Sequence, residues 1–175
     1  MGRVWVFGDS VNTDQIIPGR FNITTGPAAL AQGCFVELRP KLHLEARAGD
    51  VIVAGDDFGC GSSREHAVIA IQACGIAAVV ASSFARIFFR NAINLGLAVL
   101  ECPEARGLLA DGSQASVNLL AGTIKLAGSD TVLQARPLPE FAMRIARHGG
   151  ILELVRAHGS LAAPCDDDCL AIAPA

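Results

Sequence analysis

The chain has 175 residues, of which 51% are hydrophobic and 18% are charged, with a net charge of −3 and a pI of about 5.7. This length suits one domain with its own core, and the apolar surplus indicates a sheet covered on both faces or a surface covered by a partner. Lys41 and Lys125 are the two lysines and no basic cluster or 18-residue apolar run is present, so nucleic acid and membrane are excluded as expected partners.

The cysteines and the N-terminus indicate a cytoplasmic protein. None of the six cysteines forms a C-x-x-C, and the first residues do not resemble a secretory signal. We therefore expect reduced thiols. Cys165 and Cys169 flank three aspartates, and we interpret this stretch as an acidic tail in preference to a weak metal-binding tract. We predict a single domain over residues 1–160 and a flexible tail over residues 161–175.

Apolar strands and helices alternate through the first hundred residues. Short apolar runs predict strands at residues 3–7, 51–54, 76–81 and 97–100. Helices are predicted at residues 62–74 and 84–95, each stopped by a glycine. Between the first two strands, we expect a structured loop at residues 8–20, a short helix at residues 27–32 and irregular chain at residues 40–50. Strands and helices in this alternation form a parallel βαβαβ unit.

The remaining chain predicts a different arrangement. Short strands at residues 115–120, 123–127 and 131–134 are separated by glycine-containing turns, which is typical of an antiparallel meander. Two helices follow at residues 138–148 and 151–158.

The segment after the second strand has the residues best suited to chemistry. Residues 55–67 read GDDFGCGSSREHA and connect the end of a strand to the start of a helix. Ligands in open α/β sheets bind at such a turn, and free helix N–H groups with Arg64 suit a carboxylate or phosphate. Ser62 and Glu65 have the spacing of a capping box. These residues predict an anion-binding turn, with a well-capped surface helix as an equal alternative.

Three segments, in matching order and spacing, resemble the isopropylmalate dehydratase and aconitase family. Residues 55–67 are similar to the signature of the family's swivelling domain. NTDQIIPGR at residues 12–20 resembles a family loop, and SSFARIFFRNAINLG at residues 82–96 resembles a family helix. The matches span roughly residues 1–103. They imply an α/β fold, a three-layer β/β/α swivelling domain with a mostly parallel central sheet.

The resemblance also implies a reaction. Family members remove water from a hydroxy acid and add it back, which interconverts 2-hydroxy and 3-hydroxy acids. A [4Fe-4S] cluster acts there as a Lewis acid, and this chain lacks the C-x-x-C element that contributes to holding it. We therefore expect the small subunit of a two-subunit hydro-lyase, which binds no metal itself and works with a large, cluster-bearing subunit.

The roles of individual residues come from the same resemblance. Ser62 matches the family's catalytic base, and Asp14 matches an acid that supports proton transfer. Asp14 could instead form an Asx turn, and Arg20 could equally form a surface ion pair. The predicted substrate-binding residues are Thr13, Arg20, Ser63 and Arg64.

The loop after Arg20 is expected to select the substrate. It consists of Phe21, Asn22, Ile23, Thr24 and Thr25. Because no arginine follows to hold a distal carboxylate, the predicted substrate is 2-isopropylmalate, in leucine biosynthesis. Dimethylmalate, citramalate or citraconate, and homoaconitate stay as alternatives, as does a non-catalytic carboxylate-binding module.

Overall fold

Seven strands form one curled sheet in the computed structural model, which describes residues 1–161. The strands are β1 Gly2–Val6, β2 Asp50–Ala54, β3 Ile76–Ala81, β4 Ala98–Glu101, β5 Gln114–Asn118, β6 Thr123–Leu126 and β7 Val132–Gln134. Their spatial order is β4-β3-β2-β1-β5-β6-β7. The pairings among β1 to β4 are parallel, and those from β1 through β5 and β6 to β7 are antiparallel.

Eight α-helices lie within the described residues. They are α1 Thr13–Ile16, α2 Pro27–Gly33, α3 Leu42–Glu45, α4 Glu65–Ala73, α5 Arg86–Asn94, α6 Ala105–Leu108, α7 Glu140–Arg147 and α8 Ile151–His158. A 3-10 turn at Gly19–Phe21 precedes α2. The one-turn helix α1 falls within the predicted structured loop, α3 falls where the sequence predicted irregular chain, and α6 was not predicted.

The helices between the parallel strands share one face of the sheet. β1, β2, β3 and β4 advance in one direction across it, and right-handed crossovers then put their connecting helices on the same side. Ile52 and Val79 of the strands join Ile71 and Phe88 of the helices in one buried cluster. This cluster is the interface between the helical layer and the parallel strands.

The opposite face of the parallel strands is covered by the antiparallel part. Val51 and Val80 point to this side, because side chains alternate along a strand, and they cluster with Ile124 and Leu133. Both faces of the parallel strands are therefore buried, which explains their unbroken apolar runs. The predicted three-layer β/β/α arrangement is confirmed.

The predicted C-terminal tail and domain boundary are not tested by the described residues. The tail predicted at residues 161–175 lies outside the described residues from residue 162 onward, as do Cys165 and Cys169. The boundary of a single domain at residue 160 stays a prediction. No helix within residues 1–161 is long and apolar enough to cross a membrane.

Candidate active site

Three loops meet at the carboxyl ends of the first three strands. They are residues 7–12 after β1, residues 55–64 after β2, which we call the serine turn, and residues 82–85 after β3. Neighbouring parallel strands end at the same edge of a sheet, so the chain order alone brings these loops together. The site predicted from the sequence lies on the second of them.

Backbone hydrogen bonds join the serine turn to the loop after β1. Gly59 N donates to Val11 O at 2.7 Å, and Thr13 N donates to Cys60 O at 2.8 Å. These bonds continue β1 and β2 beyond their ends as an isolated parallel bridge. The two segments that resemble the family are thus held in one register.

The loop after β3 is joined in the same way. Phe58 N donates to Ser83 O at 3.0 Å, and Ala85 N donates to Phe58 O at 3.0 Å. This bridge keeps residues 83–85 extended, so α5 begins at Arg86 and not at the predicted residue 84.

Two glycines allow the serine turn to pack this tightly. Gly59 has φ +81°, and a Cβ there would lie 2.2 Å from the ring carbon Cγ of Phe88. Gly61 has φ +93°, and its Cβ would lie 3.3 Å from Thr13 Oγ1. Both backbone conformations favour glycine, and at Gly59 the buried phenylalanine also excludes any side chain.

Ser62 and Ser63 are exposed at the tip of the serine turn. Thr13 lies behind them, only 2% exposed, and its hydroxyl donates to the carbonyl oxygen of Ser62 at 3.1 Å. The predicted substrate contact of Thr13 stays a prediction. In the structure its side chain holds the backbone carbonyl of the exposed Ser62.

Arg64 connects the serine turn to α1. Its Nη1 donates to Asp14 Oδ1 at 2.5 Å and to the carbonyl oxygen of Ile17 at 3.2 Å. The Arg64 side chain is 18% exposed and that of Asp14 is 60% exposed. Because a guanidinium has five N–H donors, Arg64 can keep both contacts and still bind a carboxylate of a ligand.

The predicted capping box of Ser62 and Glu65 is wrong. Helix α4 begins at Glu65, and its N-cap Arg64 makes no side-chain cap hydrogen bond. Thr13 holds the Ser62 carbonyl and Asp14 holds the Arg64 side chain, so the turn passes the helix end without covering it. Ala67 N donates to Arg64 O at 3.3 Å, and the N–H groups of Glu65 and His66 have no side-chain cap, so these two could donate to an anion at the positive end of the helix dipole.

The capping box is found instead at Asn12, which sequence reasoning overlooked. Asn12 Oδ1 accepts from Gln15 N at 2.8 Å, and Gln15 Oε1 accepts from Asn12 N at 2.9 Å. The signal was present as N-x-x-Q, a variant of the usual pattern. Since Asn12 caps α1, Asp14 is not needed for an Asx turn and pairs with Arg64.

Arg20 and the predicted specificity loop lie at the surface. Arg20 Nη1 pairs with Glu37 Oε1 at 2.8 Å, the surface ion pair that was one of its two alternatives. Phe21 is partly buried and packs on Gly33, whereas Ile23 is 93% exposed. Asn22 and Thr25 are exposed too, and Thr24 Oγ1 accepts from Gly26 N at 3.2 Å. The loop thus exposes the apolar side chain of Ile23 at the surface.

Comparisons with known proteins show the family of the chain. Residues 42–105 match the family described as aconitase C-terminal domain. The chain is 52% identical over 158 residues to 3-isopropylmalate dehydratase small subunit 1 of Methanopyrus kandleri, covering 90% of this chain and 93% of that protein. It is 45% identical over 168 residues to the 3-isopropylmalate dehydratase small subunit of Caldicellulosiruptor saccharolyticus, covering 96% of each. The chain belongs to the 3-isopropylmalate dehydratase small-subunit family.

A solved structure supports the same membership. The crystal structure of 3-isopropylmalate dehydratase from Methanocaldococcus jannaschii has a TM-score of 0.84 and 41% sequence identity, and the match covers 89% of this chain and 92% of that one. The predicted family and fold are confirmed. The identity extends past residue 103, where the motifs end, into the antiparallel part of this small subunit.

The four cysteines within residues 1–161 are free thiols, and these residues contain no group of three or more metal-ligating side chains. Cys34 and Cys74 are buried together, and burial raises the pKa of Cys34. Cys60 lies on the serine turn itself, where burial, reinforced by the Asp57 carboxylate, raises the pKa of its thiol. A thiol with a raised pKa carries little thiolate at neutral pH, so Cys60 is not an activated nucleophile.

Proposed function

We propose that this chain is the small subunit of a two-subunit hydro-lyase that isomerises 2-isopropylmalate to 3-isopropylmalate by dehydration and rehydration, a step of leucine biosynthesis. The observation that carries the proposal is the serine turn, where Ser62, Ser63 and Arg64 stand beside Asp14 at the carboxyl edge of the sheet. The names of relatives at 52% and 45% identity support the choice of substrate.

Arg64 binds a carboxylate of the substrate. Its guanidinium is fixed by Asp14 and by the carbonyl oxygen of Ile17, so little conformational freedom is lost when a ligand arrives. The exposed Ser63 hydroxyl adds a donor on the same turn, and the uncapped end of α4 adds backbone N–H groups. All three favour an anion.

Ser62 acts as the base that takes a proton from the substrate carbon. An ordinary hydroxyl is too weak a base for this step, so its alkoxide needs stabilisation. The helix dipole of α4 and the positive charge of Arg64 supply it, because both lie next to Ser62 along the chain. Asp14 supports the proton transfer and balances the charge of Arg64 when no substrate is bound.

The large subunit completes the site and holds the [4Fe-4S] cluster. Residues 1–161 contain no group of three or more metal-ligating side chains, so the described residues do not fit a cluster that needs three cysteines. When bound by the partner, the cluster supplies a Lewis acid for the substrate hydroxyl. Ser62 and Ser63 are open to solvent here, and the partner would exclude water from them.

The substrate assignment rests on the exposed loop around Ile23 and on the relatives. An apolar side chain that is 93% exposed suits the isopropyl group of the substrate better than a carboxylate. No arginine lies in residues 21–25 to bind a further acid group. The free thiols of the described residues fit a reducing compartment, and we place the reaction in the cytoplasm.

The test is to co-express this chain with a candidate large subunit from the same source and reconstitute the cluster without oxygen. Alkene absorbance is then followed with isopropylmalate, citrate, homocitrate, citramalate and dimethylmalate. We expect turnover of isopropylmalate. Ser62→Ala should lower kcat by about 10³-fold or more while the two subunits still assemble.

Ser116→Ala is the matched control, because Ser116 lies on β5, away from the serine turn, and this variant should keep full activity. Turnover of another acid in the panel would overturn the substrate assignment. An active Ser62→Ala complex would overturn the role of the turn, and failure to bind any large subunit would overturn the proposal as a whole.

A further inference from the structure

A hollow of about 360 Å³ opens on the helical side of β1, and we call it the Trp5 hollow. It lies between the start of β1, residues 38–41 and α3. Trp5 and Leu42 line it and belong to the buried cluster on the helical face of the sheet. None of its lining residues belongs to the three loops of the candidate active site. Ligand sites have volumes of about 300–1,000 Å³, so this hollow suits a small molecule.

Leu38 and Pro40 give the Trp5 hollow an apolar wall. Leu38 is 41% exposed, yet the backbone before it is fixed. The fully buried Phe35 has φ +52°, and its N–H donates to Ile16 O at 2.8 Å. Its carbonyl oxygen accepts from Leu38 N at 3.0 Å. A phenylalanine in this strained conformation is held by its surroundings, so the turn keeps the Leu38 backbone at one place beside the hollow.

The charged groups of the Trp5 hollow do not balance. Its lining contains three cations and one carboxylate, which are Arg3, Arg39, Lys41 and Glu45. Arg3 Nη1 lies 3.2 Å from Glu45 Oε2, and Arg39 donates to both carboxylate oxygens of Asp111 at 2.9 and 3.0 Å. Within residues 1–161, the Lys41 ammonium group has no hydrogen-bond or ion-pair partner. One positive charge is therefore uncompensated, which favours a ligand with one negative charge.

Arg3 can bind the same ligand as Lys41. Its guanidinium carbon lies 4.0 Å from the centroid of the Trp5 ring, and Trp5 Nε1 donates to Asp50 Oδ2 at 2.9 Å. The ion pair of Arg3 with Glu45 is weak, because the two side chains are 41% and 44% exposed. A guanidinium has five N–H donors, so Arg3 can contact Glu45 and still donate to a carboxylate.

We propose that the Trp5 hollow binds a small aliphatic monocarboxylate. The carboxylate binds the Lys41 ammonium group and the Arg3 guanidinium through charge-assisted hydrogen bonds. The aliphatic chain packs on Leu38 and Pro40, which removes apolar surface from water. An alkyl phosphate carries nearly two negative charges at neutral pH and fits one uncompensated positive charge less well. This site does not depend on the proposed dehydration reaction.

The test uses the full chain and 4-methylpentanoate as the probe, at constant ionic strength. Trp5 is the single tryptophan of the chain, so its indole N–H gives one signal in a ¹⁵N–¹H spectrum and reports directly on the hollow. We expect this signal to shift saturably, with a Kd of about 1 mM. Lys41→Gln should weaken binding about tenfold or more. Leu38→Ala should weaken it about threefold to tenfold.

The matched controls are Lys125→Gln, at the other lysine of the chain, and Leu108→Ala, at a leucine 52% exposed on α6. Both should bind 4-methylpentanoate as the parent chain does. The alcohol 4-methylpentan-1-ol lacks the charge and acetate lacks the aliphatic chain, so each should bind about tenfold more weakly or less. Absence of a saturable shift, equal binding of the alcohol or of acetate, or unchanged affinity in Lys41→Gln or Leu38→Ala would each overturn the proposal.

Discussion

The serine turn and the specificity loop at residues 21–25 are held in opposite ways. The serine turn is bound to loops on both sides by backbone hydrogen bonds, and Phe58 within it is fully buried. The specificity loop follows a single 3-10 turn, and Ile23 at its centre is 93% exposed. The residues proposed for chemistry thus lie on a turn held by its neighbours, and those proposed for substrate selection lie on an exposed loop.

This difference has a physical reason. Groups that take part in proton transfer must be positioned within fractions of an ångström, which requires a packed and hydrogen-bonded surrounding. A loop that selects among substrates can vary without harm to that surrounding, because few internal contacts depend on it. Variants in the two regions should therefore differ in whether they change stability, kcat or KM.

Gly59→Ala should have the largest effect, because Gly59 lies where the serine turn is hydrogen-bonded to the loop after β1. A Cβ at this position would lie 2.2 Å from the Phe88 ring, on a backbone with φ +81°. Overpacking and strain together should cost about 3 kcal/mol of unfolding free energy. Urea unfolding of the full chain measures it, and the reconstituted complex should lose its activity.

Gly8→Ala is the control for Gly59→Ala, since a Cβ at Gly8 would meet nothing within 4 Å. Its unfolding free energy should stay within about 0.5 kcal/mol of the parent chain. Equal stability of the two variants would show that the loops are not joined tightly at Gly59.

Arg64→Lys should have the next largest effect, and this effect should be a loss of catalytic efficiency. Lysine keeps the charge but cannot hold Asp14, the Ile17 carbonyl and a substrate carboxylate together in one planar fork. We expect kcat/KM for isopropylmalate to fall by about 10²-fold to 10³-fold. Steady-state kinetics of the complex measures it.

The same exchange at Arg20 provides the comparison. Arg20 pairs with Glu37 at the surface, where both side chains are more than half exposed, and such pairs contribute little. Arg20→Lys should change kcat/KM by less than about threefold. A large loss there would return Arg20 to the substrate-binding residues and weaken the distinction between the two regions.

Thr13→Val should have a smaller effect on both stability and rate. It keeps the shape of a buried residue but removes the hydroxyl that donates to Ser62 O. Stability should fall by about 1 kcal/mol and kcat by about tenfold, with KM nearly unchanged. Thr13→Ser retains the donor and should recover most of the rate, which a purely volume-dependent role of Thr13 would not allow.

Much of the fold and site could be predicted because the signals are local. The alternation of apolar runs and helices predicted the parallel strands, and their carboxyl ends predicted where the serine turn lies. The residues of the turn indicated an anion site with Arg64, whereas the roles of Ser62 and Asp14 came from the family resemblance. The strands and the place of the turn need only short-range patterns and the general behaviour of parallel sheets.

Two candidate capping boxes show what a local sequence pattern does not determine. Asn12-x-x-Gln15 and Ser62-x-x-Glu65 carry the same local signal, yet only the first forms a capping box. The second does not form because α4 begins at Glu65, with Arg64 as its N-cap, so Ser62 lies two residues before the cap. Thr13, which is 49 positions away, holds the Ser62 carbonyl at that point. Contacts between distant loops decide such outcomes, and no local pattern contains them.

Ile23→Ala should have the smallest effect and bears most directly on the specificity loop. Because the side chain is 93% exposed, the unfolding free energy of the chain should not change. In the complex, removing apolar surface from the substrate side should raise KM for isopropylmalate about threefold to tenfold while kcat stays the same. Leu44→Ala, at a residue 66% exposed on α3, is the control and should leave KM unchanged. If Ile23→Ala lowers kcat instead, the loop takes part in positioning the chemistry, and the separation of the two regions fails at this residue.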